Sequence, residues 1–167
     1  MSEINMKDNK DNKDDGLILE DNSDLFVNNE LVNIKIFYKK VGKMFSALTQ
    51  REFNKKKQEN PRFNESEYKE INLWVVPLTW GVFNNLQQSS RELDEFGVSK
   101  FNSKMFKENK IVTVIKRWDI KRKTPDGNLV VVPINHQTVS TLSPEIAETI
   151  LTSYDEYMIL DEEEEKK

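Results

Sequence analysis

Residues 71–78 read INLWVVPL, and this stretch decides the fold. Its β-branched and aromatic side chains form an almost unbroken apolar run, which is typical of a buried strand. Pro77 has no amide hydrogen to donate to a sheet ladder, so it marks the end of that strand. Thr79 can then cap a helix. Residues that recur at helical spacing predict one face of that helix, which comprises Trp80, Phe83, Leu86, Ser90 and Leu93.

Upstream of this strand, apolar and polar residues alternate, as in a strand with one face on a core. The predicted core-facing residues are Val32, Ile34, Ile36 and Tyr38. Gly42 marks a turn, and residues 43–48 return as a second strand. Thr49 and Glu52 have capping-box spacing, which predicts a short helix that runs through Lys57.

Two signals compete between residues 100 and 119. The β-branched run IVTVI at 111–115 favours a strand. One helical stripe, however, joins Phe101, Met105, Val112, Ile115 and Trp118. We predict a helix from about residue 100 to 119 on the strength of that stripe. If the segment were a strand, the turn residues TPDGN at 124–128 would instead close a hairpin.

A last helix begins at the sequence LSPE at 142–145, after an extended piece at 129–134. Ser143 can cap this helix, Pro144 suits its first position, and Leu142 can pack on Ala147. The apolar face comprises Ile146, Ile150, Leu151, Tyr154 and Met158.

Together these elements predict an α+β fold, in which a small antiparallel sheet in the N-terminal half packs with three to four helices. A chain of 167 residues suits one domain. We assign that domain to residues 25–158. We expect a disordered acidic tail at 1–24 and an acidic tail at 159–167, because neither has enough apolar residues to form a core.

Charge is distributed unevenly along the chain. The net charge is −6 over residues 1–30, +9 over 31–144 and −7 over 145–167. Acidic ends of this kind ordinarily keep a protein soluble, which is the interpretation we favour. The alternative is that they shield the basic middle until a partner displaces them.

The composition excludes several kinds of chemistry. With no cysteine and one histidine, the chain cannot form a disulfide, a thiol nucleophile or a histidine-pair metal site. No phosphate-binding glycine loop or nucleophile elbow is present. The sequence places no nucleophile or orienting carboxylate beside His136. We therefore predict a non-enzymatic protein with no catalytic residues, no metal and no cofactor.

No apolar run approaches the ~20 residues that cross a bilayer. The polar start MSEINMKDNKDNKDD also lacks the apolar stretch of a secretory signal. We expect a cytoplasmic protein with no membrane partner.

The basic segment 104–123 makes nucleic acid one candidate partner. The candidate contacts are five cations around one aromatic ring, namely Lys116, Arg117, Trp118, Lys121, Arg122 and Lys123. Further cations upstream are Lys104, Lys107 and Lys110. Such a set can track phosphates while the ring stacks on a base. The simpler interpretation, which we favour, places Trp118 in the core and the cations on a solvated helix end.

Large apolar side chains indicate a second kind of surface. The candidate partner-binding residues are Trp74, Trp80, Phe83, Phe101 and Met105. Surfaces of methionine and aromatic residues suit an extended helical partner. Each of these residues is also an ordinary core residue type, so the core is the alternative location.

Taken in order, these motifs resemble those of bacteriophage tail-assembly chaperones. The resemblance is carried by ALTQREF at 47–53, PLTWG at 77–81, IKRWD at 115–119, DG at 126–127, VPIN at 132–135 and LSPE at 142–145. In that family a helix ending in Trp-Asp is followed by a glycine turn, an extended segment with proline and a capped helix.

The resemblance implies a non-enzymatic protein that binds the helical tape-measure protein, helps recruit tail-tube proteins and is absent from the finished virion. Many members have a longer form made by a ribosomal frameshift. Codons for the Glu165-Lys166-Lys167 end can contain the slippery heptamer A AAA AAG. We expect such a chaperone to lie in the host cell cytoplasm. The resemblance does not decide whether it forms a homo-oligomer. The alternatives are a structural tail or baseplate subunit and a nucleic-acid-binding accessory protein.

Overall fold

The computed structural model describes residues 21–164, with side chains described through residue 159. Residues 1–20 of the predicted disordered tail at 1–24 therefore lie outside the described residues. Residues 165–167 at the end of the chain lie outside them too. The strands are β1 (Val32–Val41), β2 (Met44–Thr49), β3 (Lys69–Val75), β4 (Arg91–Leu93), β5 (Ser99–Phe101), β6 (Ile115–Trp118), β7 (Lys121–Lys123) and β8 (Leu129–Val131). The helices are α1 (Gln50–Glu59), α2 (Trp80–Ser89), α3 (Ser103–Val114), α4 (His136–Ser140) and α5 (Pro144–Glu164).

The main sheet has four antiparallel strands in the order β2-β1-β3-β6. Three of them come from the N-terminal half, as predicted, and the α+β class is confirmed. Gly42, with a φ of 64°, makes the two-residue turn between β1 and β2. The other strands form two small hairpins, β4 with β5 and β7 with β8.

One face of the sheet carries the main core, and helices α3 and α5 contribute to it. The buried residues of this core are Ile34, Ile36, Ile71, Leu73, Val75, Ile111, Val114, Ile115, Trp118, Val139, Ile146, Ile150, Leu151 and Tyr154. The predicted alternation in β1 is confirmed, because Ile34 and Ile36 are buried while Val32 and Tyr38 pack against the cluster. Apolar burial of this extent is the main stabilising contribution to the fold.

The opposite face is covered at one corner by α1. Phe53 of α1 stacks on Phe37 of β1 with ring centroids 3.9 Å apart, and Leu48 completes the buried set. The predicted capping box is confirmed: the Glu52 amide donates to Thr49 Oγ1 at 3.2 Å, and the Thr49 amide donates to Glu52 Oε2 at 3.0 Å. Phe63 and Tyr68 pack against the same buried set, and away from this corner the face carries exposed and half-buried side chains such as Asn33, Trp74 and Arg117.

The predicted helix over residues 100–119 is wrong at both ends. The helix α3 is shorter, spanning Ser103–Val114, and Ile115–Trp118 forms strand β6. Strand β6 pairs with β3, and Val76 extends the ladder by donating its amide to the Val114 carbonyl at 3.0 Å. The β-branched run therefore stays helical through Val114, and only Ile115 of that run joins the strand. The long-range pairing with β3 overrides the helical stripe beyond Val114, because it satisfies the backbone of residues 115–118 in a sheet ladder.

Other boundaries differ where a short hairpin or helix replaces a predicted element. Helix α2 ends at Ser89, and Leu93 belongs to β4 rather than to the predicted helical stripe. The turn at 124–128 closes the β7–β8 hairpin, with Gly127 at a φ of 86°. The polar stretch around His136 forms α4, which the sequence did not indicate. Helix α5 begins at Pro144 as predicted but continues to Glu164, past the predicted end of the domain.

Two aromatic residues of the core also make polar contacts. Trp118 is only 2% exposed, and its indole Nε1–H donates to the Val132 carbonyl at 2.6 Å. The Tyr154 hydroxyl donates to the Val76 carbonyl at 2.9 Å, and burial raises the pKa of Tyr154 to about 12. Tyr154 is therefore a neutral hydrogen-bond donor at physiological pH, and both rings tie the chain segments that follow β3 and β8 to the core.

We predict that Trp118→Phe lowers the free energy of unfolding by about 2–4 kcal/mol, because it leaves a cavity and an unpaired Val132 carbonyl. The matched control is Trp80→Phe, since Trp80 is 76% exposed. This control should change stability by less than about 0.5 kcal/mol. Urea unfolding of the two variants measures both values, and equal effects would contradict the assignment of Trp118 to the core.

Candidate functional site

A row of four aromatic rings runs across helices α2 and α3 and strand β5. Trp80 stacks on Phe83 with ring centroids 6.3 Å apart, and Phe83 meets Phe106 edge-on at 6.4 Å. Phe106 then contacts Phe101 at 5.4 Å. We call these residues, Trp80, Phe83, Phe106 and Phe101, the aromatic row.

The aromatic row is open to solvent at both ends. Trp80 is 76% exposed and Phe101 is 47% exposed. The β4–β5 hairpin, whose last strand residue is Phe101, adds three exposed apolar side chains, Leu93, Phe96 and Val98, with Phe96 81% exposed. Single exposed apolar residues are normal on a protein, but a concentration in one short segment is typical of an interaction surface.

Buried polar contacts fix the β4–β5 hairpin to the two helices. Ser90 is fully buried between α2 and β4, and its hydroxyl donates to the Leu86 carbonyl at 2.6 Å. The Asn109 side chain of α3 donates to Ser90 Oγ at 3.0 Å, and the Asn102 amide donates to the Ser90 carbonyl at 2.8 Å. The base of the hairpin is therefore held at a defined position relative to the aromatic row.

The turn of this hairpin is organised by one carboxylate. Asp94 Oδ1 accepts from the amides of Phe96 and Val98, each at 2.9 Å, and the Lys100 ammonium lies 3.0 Å from Asp94 Oδ2. The Val98 amide and the Lys100 ammonium hold the pKa of Asp94 below its usual range. Gly97 supplies the positive φ, 76°, that the turn needs. This arrangement presents Phe96 to solvent.

An open cavity of about 460 Å³ lies beside the aromatic row. It is lined by Gln87, Gln88, Arg91 and Phe101. One aromatic ring and three long polar side chains therefore border this open cavity.

The structure brings together three of the five predicted partner-binding residues. Trp80, Phe83 and Phe101 belong to the aromatic row, and Phe106 joins them. Met105 lies next to Phe106 in α3, where it is half-buried, and its amide donates to the Asn102 side chain that caps the helix. Trp74 is not part of the row.

Phe96 and Phe106 are exposed or half-buried aromatic residues of this region that the sequence patterns did not single out. Phe106 lies one position after the predicted stripe residue Met105, so it fell outside the stripe that was expected to face a partner or the core. Phe96 stands between Asp94 and Gly97, a spacing of turn residues that is a signal for a hairpin tip.

Trp118 is buried in the core, as the favoured interpretation predicts, so it is not available as the stacking ring of the alternative. The cations from Lys116 to Lys123 lie on and beside strands β6 and β7, so the predicted helix end is wrong. Two of the upstream cations are neutralised by α5: Lys107 binds Glu148 and Lys110 binds Asp155, each at 2.7 Å. Within the basic segment 104–123, the exposed cations that have no ion pair among the described residues are Lys104, Lys116, Arg117, Lys121, Arg122 and Lys123.

The described residues contain no group of histidine, aspartate and glutamate side chains that could hold a metal ion. His136 is exposed at the first position of α4. Within residues 21–164, no helix has the length and apolar character needed to cross a membrane.

Comparison with known proteins gives no relative: no family model, no curated protein and no solved structure matches the chain significantly.

We predict that Asp94→Ala increases hydrogen exchange at the amides of Phe96 and Val98 several-fold, since both lose their acceptor. Folding lowers the pKa of Asp94. The stabilisation that the Asp94 carboxylate gives the turn is therefore fully present above the ordinary carboxyl pKa and is lost as the pH falls through the lowered pKa. NMR protection factors measure the effect. Asp126→Ala, in the other hairpin turn, is the control. Unchanged protection of Phe96 and Val98 in Asp94→Ala would show that Asp94 does not organise the turn.

Proposed function

We propose that this protein is a non-enzymatic bacteriophage tail-assembly chaperone that binds the helical tape-measure protein through the aromatic row and the β4–β5 hairpin. The observation that carries the proposal is the concentration of exposed aromatic side chains in residues 80–106. The order of sequence motifs that resembles tail-assembly chaperones supports the choice of partner, although Trp118 ends strand β6 here and not the helix of the family pattern.

The spacing of the rings accommodates a helical partner, although it is also the ordinary distance between packed aromatic rings. Neighbouring centroids in the aromatic row are 5.4–6.4 Å apart. One turn of an α-helix rises about 5.4 Å, so apolar residues on successive turns of a partner can each meet one ring. Aromatic rings provide a large contact area at low cost in side-chain entropy.

The charge of the chain suits a chaperone for an apolar partner. The formal net charge is −4, with acidic residues concentrated at both ends of the sequence. Net charge away from zero keeps a complex soluble while its apolar surfaces are held in contact. In this proposal the acidic ends maintain solubility and do not contact the tape-measure protein.

The experiment is co-expression of the full chain with the tape-measure protein of the same genome. We expect the tape-measure protein to move into the soluble fraction and to elute with the chain on size-exclusion chromatography. A tape-measure protein that stays insoluble, with no complex on the column, contradicts the proposal. Finding the chain as a component of purified virions would favour the structural tail or baseplate subunit instead.

We predict that Phe96→Ala weakens the complex by about tenfold or more, because truncating an aromatic anchor removes about 2 kcal/mol of binding. The matched control is Phe26→Ala, which removes a ring of equal exposure, 80% against 81%, outside the row and hairpin. This control should leave affinity within about twofold. Equal losses in the two variants would place the binding surface elsewhere.

A further inference from the structure

Strand β6 contains a bulge that turns two consecutive side chains to the same face of the sheet. Ile115 pairs with Val75 and Trp118 pairs with Leu73, and both residues are buried in the core although they are three positions apart. A regular strand would direct residues of that spacing to opposite faces. The register shift between Trp74 and Val75 accommodates the extra residue. Lys116 and Arg117, both exposed, therefore share the face opposite to the core.

Trp74 lies across from this bulge on the same face. It stands between Leu73 and Val75, which are fully buried in the core, so its ring points the other way. Arg117 is its cross-strand partner, and the guanidinium carbon Cζ lies 3.9 Å from the centroid of the Trp74 ring. A half-buried indole and an exposed planar cation are thus stacked on the uncovered part of the sheet.

The carboxylates near this site already have partners. Asp119 accepts from the amide and the side chain of Asn72, both at 2.8 Å. Glu70 pairs with Lys35 at 2.9 Å. Lys116 and Arg117 have no ion pair among the described residues. Asn72 is neutral, so Asp119 keeps its negative charge, but the two cations Lys116 and Arg117 exceed it. The face therefore keeps a net positive charge beside an aromatic ring.

We propose that this face, formed by Trp74, Lys116 and Arg117, is a binding site for single-stranded nucleic acid. One base stacks on the Arg117 guanidinium that rests on Trp74, and Lys116 contacts the adjoining phosphate. The exposed cations Lys121, Arg122 and Lys123 of β7 follow in the chain and extend the contact to further phosphates. The site is separate from the aromatic row and does not depend on the proposed chaperone function.

The planar stack favours a single strand over the other polyanions. In a duplex the base faces are stacked on one another, so a flat platform on a sheet finds none to contact. An acidic peptide supplies negative charge but no succession of planar rings. Cations together with a stacking surface are the combination that single-stranded nucleic acids require.

The test is fluorescence anisotropy of the full chain with a labelled oligothymidylate of about 12 nucleotides, which is within the usual site size. We expect salt-dependent binding. The double variant Lys116→Ala with Arg117→Ala should bind about tenfold or more weakly, with a shallower salt dependence. The matched control is Lys40→Ala with Lys43→Ala, which removes the same charge from the exposed β1–β2 turn. It should change affinity by less than about threefold.

A second variant separates stacking from charge. Arg117→Lys keeps the positive charge but loses the planar guanidinium, so we expect weaker binding with an unchanged salt slope. Wild-type affinity in Arg117→Lys would overturn the stacking contact. The proposal is also overturned by no binding at low salt, by equal losses in the two double variants, by tighter binding of a duplex of the same length, or by polyglutamate displacing the oligonucleotide at equal charge.

Discussion

The pairing of β3 with β6 is the constraint on which the rest of the structure depends. It places residues 75 and 115 side by side, so the chain between them must leave the sheet and return to it. Within that connection, Ile111 and Val114 of α3 fill the core above the sheet. Helix α2 and the β4–β5 hairpin lie further out, and their aromatic residues find no place in the core that α3 and α5 already occupy. The aromatic row is therefore exposed because the pairing of β3 with β6 leaves α2 and the hairpin outside the core.

The same pairing creates the second surface. Burying both Ile115 and Trp118 contributes more apolar area than a regular strand could, and the bulge is the backbone adjustment that allows it. As a result, two adjacent cations, Lys116 and Arg117, lie on the same face of the sheet as Trp74. Protein binding through residues 80–106 would use α2, the β4–β5 hairpin and the start of α3, whereas nucleic-acid binding would use the face of the main sheet opposite the core. The two surfaces share no residue, so neither needs to exclude the other.

Local signals in the sequence predicted the elements that depend on neighbouring residues. The capping box at Thr49, the Thr79 cap of α2 and the start of α5 at Pro144 all form as expected, because each is decided within one helical turn. The β6 strand was missed because its partner lies about 40 positions earlier and no local pattern reveals that pairing. The basic segment was recognised from the sequence with Trp118 as its aromatic ring, whereas the structure buries Trp118 and places Trp74 beside Arg117. The bulge places Trp118 in the core and leaves Trp74 on the face that carries Lys116 and Arg117. No residue pattern in the sequence signals this bulge.

The bulge in β6, on which the pairing with β3 depends, is tested most directly by cysteine accessibility across β6. The sequence contains no cysteine, so Ile115→Cys, Lys116→Cys and Arg117→Cys each introduce a single thiol. Labelling with a thiol reagent under native conditions should be slow at position 115 and fast at both 116 and 117. Fast labelling at 116 with slow labelling at both 115 and 117 would indicate a regular alternating strand and would contradict the bulge.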